Sequence, residues 1–214
     1  TTIAKAIYNR IFRMFDGSSF LGEVREQASE GLVCLQVQLL NDILGKKDSN
    51  INHVDKGSKL ISDMLNRKKS LLVLDNVDHH MQLDALAGKL SWFGPGSIIL
   101  ITTRDKHVLQ VAGVDNNHIY ELQGLDDTQS LCLFNMHAFQ KNVAPEDFMQ
   151  FSEEIVKYAR GLPLTVEVLG SLLCKTKEKE VWGNTLQKLN RVFPEEVKKR
   201  LKISYDGLND NEKA

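Results

Sequence analysis

The most informative hydrophobic pattern is the run Leu71-Leu72-Val73-Leu74, which stops abruptly at Asp75. Four consecutive apolar residues do not suit a strand with one wet face; they predict a strand buried on both faces, as in the middle of a parallel sheet. A second such run, Ile98-Ile99-Leu100-Ile101, leaves through Thr102-Thr103-Arg104-Asp105. Between and before these runs the apolar residues recur at helical spacing. Ile3, Ile7 and Ile11, with Ala4, Tyr8 and Phe12, predict a first helix; Ser19 to Arg25 reads as a short strand. Leu32, Leu35, Leu39, Leu40 and Ile43 predict a helix closed by Gly45. A polar loop over 46–52 follows, and then a helix carrying Val54, Leu60, Ile61, Met64 and Leu65. A short helix with Met81, Leu83, Leu86 and Ala87 follows Asp78, and Gly94-Pro95-Gly96-Ser97 is a turn. Helix followed by buried strand, repeated, is the signature of an α/β fold with a parallel sheet.

Beyond Gly113 the pattern changes. Ile119-Tyr120-Glu121-Leu122 reads as a last short strand, after which everything is helical. Asp126 or Asp127 caps a helix with Leu131, Phe134 and Ala138. Another, through Ile155, Val156 and Ala159, stops at Gly161, and Pro163 opens the next at its favoured first position. Two further helices carry Val181, Trp182, Leu186 and Leu189, then Val197 and Leu201. The expected division is an α/β domain over 1–118, a helical subdomain over 119–196 and the start of a further subdomain over 197–214.

Charge and cysteine usage narrow the function classes. A formal net charge of -1 in 214 residues gives no overall basic bias toward nucleic acid or anionic membrane. No apolar stretch approaches a membrane span, and no charged-then-apolar leader opens the chain. The three cysteines, Cys34, Cys132 and Cys174, are far apart and read as reduced core thiols, which points to the cytoplasm or nucleus. His79-His80 reads as a solvated helix start, since adjacent helical residues face different ways. The chain opens directly into a helix and ends as another begins, so it reads as part of a longer protein.

The candidate chemistry lies where the two buried strands end. In open α/β sheets ligands bind beyond the carboxyl ends of the strands. Asp75 and Arg104 would converge there, a pairing suited to Mg²⁺ and phosphate. The plainer alternative is an acidic turn residue at 75 and a surface ion pair of Arg104 with Asp105 or Asp78.

Six segments, in order, resemble one family. Thr1-Thr2-Ile3-Ala4-Lys5-Ala6-Ile7-Tyr8-Asn9 is similar to the helix that follows a P-loop, and Leu71 to Asp78 is similar to a Walker B motif. Gly94 to Ser97 through Thr102-Thr103-Arg104-Asp105 resembles a sensor segment, and Gly161-Leu162-Pro163-Leu164 the motif written GLPL. Tyr120 to Leu125 and Ser204-Tyr205-Asp206-Gly207-Leu208 fit two more. Together they resemble the NB-ARC module of plant intracellular disease-resistance receptors. Asp78 and Phe20-Leu21-Gly22-Glu23-Val24-Arg25 resemble the subclass with an N-terminal TIR domain.

The resemblance implies a P-loop NTPase domain, lacking its first strand and phosphate loop, followed by a small helical bundle with 197–214 opening a winged helix. It implies ADP or ATP with Mg²⁺ as ligands and a switch between an ADP-bound off state and an ATP-bound on state. Thr1 and Asp75 would hold the metal. Thr1, Thr2, Arg104, Gly161, Leu162 and Pro163 would contact the nucleotide. The implied partners are TIR and leucine-rich-repeat domains outside this chain, with oligomerisation on activation. One position departs from the family pattern: where a second acid often follows the Walker B aspartate, this chain has Asn76. An amide cannot accept a proton from water near neutral pH, which predicts weak hydrolysis unless Asp78 substitutes. The rival expectations are an active ATPase of a related class and a scaffold that binds no nucleotide.

Overall fold

The computed structural model describes residues 1–45, 51–176 and 178–191. The expected helix through Val197 and Leu201, and the expected subdomain over 197–214, lie outside these residues, as do residues 46–50 of the expected loop. The chain divides into two compact units, Thr1–Tyr120 and Glu121–Ala214.

The first unit is built on three parallel strands, β1 (Gly17–Leu21), β2 (Ser70–Val77) and β3 (Ile98–Thr103), in the order β1-β2-β3. The continuous apolar run takes the central place: Leu71 to Leu74 are fully buried. Leu72 and Leu74 share a core with Leu21, Leu35, Leu39, Ile61 and Leu86. A glycine sets how β3 is laid beside β2. Gly94 N–H donates to the carbonyls of Leu65 and Lys68, and a Cβ there would lie 2.7 Å from the Lys68 backbone. Ser97 Oγ then accepts from Ser70 N–H at 2.8 Å, so the two strands start in register, with Leu71 beside Ile98.

The helices are α1 (Thr2–Ile11), α2 (Val24–Glu30), α3 (Leu32–Leu44), α4 (Val54–Leu65), α5 (His80–Ala87) and α6 (Lys106–Val111). Of the expected α1 stripe, Ala4 is buried, Tyr8 reaches Ser18 Oγ at 3.0 Å and Ile11 is half-buried, while Ile3 and Ile7 are exposed. The strand expected as far as Arg25 stops at Leu21. Val24 and Ala28, one helical turn apart, both face the core and draw the rest into α2. The short α6, not expected from the apolar pattern, is capped by Asp105, which accepts from His107 N–H at 2.8 Å. His79 caps α5 in a reciprocal capping box with Gln82, the helix start expected of it.

The strand expected at Ile119 to Leu122 is absent. A strand needs a neighbour to take its backbone hydrogen bonds, and here Tyr120 and Leu122 are exposed in irregular chain after a single 3₁₀ turn, Asn116–His118. The cysteines also depart from expectation. They are free, but Cys34 and Cys174 are exposed and Cys132 is half-buried, so none is a core thiol.

Over its described residues the second unit is helical: α7 (Asp127–Phe139), α8 (Met149–Ala159), α9 (Pro163–Leu173) and α10 (Lys179–Arg191). Asp126 caps α7 in a capping box with Gln129. Trp182 is fully buried among Phe134, Phe139, Phe148 and Phe151, and its indole N–H donates to the Thr176 carbonyl at 3.2 Å. An indole so enclosed needs that acceptor. Among the described residues no helix is long and apolar enough to cross a membrane.

Candidate nucleotide site

The candidate site forms where β2 ends. Opposite Leu74 lies Ile101 and opposite Val77 lies Thr103, so two residues, Asp75 and Asn76, face the single residue Thr102. This is a β-bulge, a local irregularity that re-aims side chains at a sheet edge. Asn76 takes the extra turn in the left-handed region, at φ 62°. Thr102 satisfies both bulge residues at once: its hydroxyl donates to Asp75 Oδ1 at 2.7 Å and accepts from Asn76 N–H at 2.9 Å.

Asp75 is only 2% exposed and is met by two elements. Besides Thr102, Thr1 Oγ1 donates to its Oδ2 at 2.8 Å. Burial pushes the Asp75 carboxyl up. The hydrogen bonds from Thr102 and Thr1 pull it back down and favour its ionised form. Asp75 is thus a carboxylate held ionised in a buried place. Thr1 occupies the N-cap of α1, yet its side chain makes no capping bond there; it is spent on Asp75.

Two threonine hydroxyls and a carboxylate are all-oxygen donors, the chemistry that suits Mg²⁺ rather than a thiolate- or imidazole-seeking metal. The backbone N–H groups at the start of α1 also favour an anion there. Thr2, the first helical residue, is exposed.

Further along this edge, Asn76 Nδ2 donates to both carboxylate oxygens of Glu26, at 3.0 and 3.1 Å. Arg25 Nε pairs with Asp78 Oδ2 at 3.2 Å, and Asp78 Oδ1 accepts from Gln82 Nε2 at 2.7 Å. Arg104 is exposed, one residue beyond β3.

Gly161, Leu162 and Pro163 lie in the second unit. Arg160 and Gly161 are both left-handed, at φ 50° and 74°, and end α8. Gly161 O accepts from Leu125 N–H at 2.8 Å, and a Cβ on Gly161 would collide with the Leu125 carbonyl. Pro163 stands exposed at the first position of α9, beside an exposed Leu162.

Of the residues singled out from sequence, Thr1 and Asp75 are thus in direct contact. Thr102, Glu26 and Arg25 were not singled out as site residues. Thr102 had a legible signal, a hydroxyl closing the apolar strand directly beside the Asp75 strand. Glu26 had none, because α2 itself was not anticipated.

Residues 1–144 match the family described as NB-ARC domain. Disease resistance protein RUN1 of Vitis rotundifolia is 44% identical, over 100% of this chain and 16% of its own length. TMV resistance protein N of Nicotiana glutinosa is 42% identical, over 97% of this chain and 18% of its own. Disease resistance protein RRS1 of Arabidopsis thaliana is 34% identical, over 100% of this chain and 15% of its own. The chain thus spans less than a fifth of the length of each of these relatives. The chain belongs to the NB-ARC family, nucleotide-binding domains of P-loop NTPase type, in the form found in plant disease resistance proteins.

Proposed function

We propose that this chain is the adenine-nucleotide switch of an intracellular plant immune receptor, ADP-bound when off and ATP-bound when on. The observation that carries the reading is the buried, ionised Asp75, gripped by Thr1 from the start of α1 and by Thr102 from the end of β3. A buried carboxylate whose hydrogen bonds favour its ionised form, at the ligand edge of a parallel sheet, suits a cation-dependent site.

In this reading Thr1 and Asp75 hold Mg²⁺, which when bound neutralises charge on phosphate oxygens. Thr1 and Thr2 offer helix N-terminal N–H groups to phosphate. Arg104, a fixed cation beyond β3, meets the terminal phosphate of ATP, and so binds the two nucleotides differently. Gly161, Leu162 and Pro163 contribute from the helical unit, where the exposed proline at the start of α9 gives a rigid apolar face to adenine or ribose. The glycines and lysine of the phosphate loop would precede Thr1 in the longer polypeptide. That polypeptide would carry TIR and leucine-rich-repeat domains, act in the cytoplasm or nucleus, and oligomerise on activation.

Titrating ATP in the presence and absence of Mg²⁺ against the native polypeptide that contains this chain tests the reading. Asp75→Asn keeps the shape and removes the charge; it should weaken Mg²⁺-dependent ATP binding by about tenfold or more. Equal affinity in wild type and Asp75→Asn, with or without Mg²⁺, would remove Asp75 from the site.

A further inference from the structure

The residue after Asp75 is an amide, yet a carboxylate stands beside it. Asn76 holds a left-handed conformation in the β2 bulge and points Nδ2 at both oxygens of Glu26, 3.0 and 3.1 Å away. Glu26 is brought there by α2. Glu23, left-handed at φ 52°, turns the chain out of β1, and Val24 plugs the core at 0% exposure. Successive residues of the first turn of α2 then engage the end of β2, Arg25 on Asp78 and Glu26 on Asn76.

Asp78, the acid expected from sequence to replace the missing one, is engaged on both oxygens by Arg25 and Gln82. Glu26 differs: it accepts from a neutral amide, and it is solvent-exposed. A carboxylate offers about four lone-pair sites, so room remains for a water. A non-glycine residue kept in the left-handed region next to a buried acid is a strained position of the kind that clusters at active sites.

We propose that Glu26 is the water-orienting carboxylate of the nucleotide site, held at the sheet edge by Asn76, so that the pair replaces a single acid after Asp75. This rests on the nucleotide-binding reading above. In the step it serves, the water oxygen bonds to the terminal phosphorus of ATP and the water proton passes to Glu26. The bond from that phosphorus to the oxygen bridging to the β-phosphate breaks, its electron pair staying on ADP. Glu26 then returns the proton to the released phosphate.

The test is single-turnover phosphate release from ATP bound to the native polypeptide that contains this chain, alongside ATP affinity and thermal midpoint. Glu26→Gln should slow release by about tenfold or more, with affinity and midpoint unchanged. The exchange Glu26→Gln with Asn76→Asp reverses the hydrogen bond and keeps one carboxylate, and it should restore most of the rate. Unchanged release in Glu26→Gln with ATP bound overturns the proposal and leaves nucleotide binding intact. So does a wild type that binds ATP and releases no phosphate. A rate loss that tracks lost binding or stability, without recovery in the exchanged pair, makes Glu26 purely structural and overturns it too. A folded wild type that binds no ATP overturns the nucleotide reading and this inference together.

Discussion

Thr102 Oγ1 donates to Asp75 Oδ1 at 2.7 Å while accepting the N–H of Asn76 at 2.9 Å, so one hydroxyl from β3 closes the bulge that ends β2. Thr102→Val keeps the shape and removes both bonds, stranding a carboxylate oxygen that is almost fully buried and a backbone N–H. The variant should lose about 2–3 kcal/mol of stability, read as a lower denaturant midpoint at unchanged slope. Thr102→Ser should recover most of it.

Acid should expose the same contact. Burial raises the Asp75 carboxyl, but the Thr102 and Thr1 hydrogen bonds pull it down and favour the ionised form. A carboxyl depressed on folding contributes stability that is complete above its unfolded pKa and is lost as pH falls through the folded one. The contribution of the Thr102 and Thr1 bonds should therefore be intact at neutral pH and fade only in acid, as the Asp75 carboxyl is protonated. With the Thr102 bond gone, burial is less opposed and the folded pKa rises. The acid-unfolding midpoint of Thr102→Val, followed by circular dichroism, should move to higher pH than that of wild type.

Asn76 separates backbone strain from side-chain bonding. Asn76→Gly and Asn76→Ala both lose the Glu26 contact, but only alanine must hold φ 62° against its own Cβ. Asn76→Ala should be less stable than Asn76→Gly by about 1 kcal/mol in equilibrium unfolding.

Two neighbours at the start of α9 should behave oppositely. Gly161→Ala must keep φ 74° and drives a Cβ into the Leu125 carbonyl, so it should cost about 2 kcal/mol or more. Pro163→Ala, exposed at the first helical position, should change stability by about 0.5 kcal/mol or less. It should nevertheless weaken nucleotide binding if Pro163 faces the ligand. Thermal unfolding beside a nucleotide titration separates the two roles.

The strands were legible because their physics is local, but only β2 is buried as expected: Ile98 at the start of β3 is exposed and the rest of that strand is half-buried. Four apolar residues ending at Asp75, and the apolar run before Thr102, allow little besides adjacent strands in one sheet; β2 takes the centre and β3 lies beside it, with no strand beyond among the described residues. Asp126, Gly161 and Pro163 marked helix ends for equally local reasons, a capping oxygen, a left-handed glycine and a missing N–H. What escaped depends on partners far away in sequence. Ile119 to Leu122 alternates like a strand but finds no neighbouring edge to pair with. Val24 continues the apolar pattern of β1, and only the core contact shared with Ala28 turns it into a helix. Cys34 and Cys174 lie within apolar helical patterns yet sit on the outer side. The Glu26–Asn76 contact spans 50 residues and requires both α2 and the bulge, neither of which has a sequence signature.

The account stands or falls on adenine nucleotide at this sheet edge. The most direct measurement is to purify the native polypeptide that contains this chain, denature it, and identify and quantify whatever nucleotide is released. The account predicts ADP at close to one equivalent in wild type, and much less in Asp75→Asn purified at equal yield. A folded, stable wild type that releases no adenine nucleotide and takes up none on titration would contradict it.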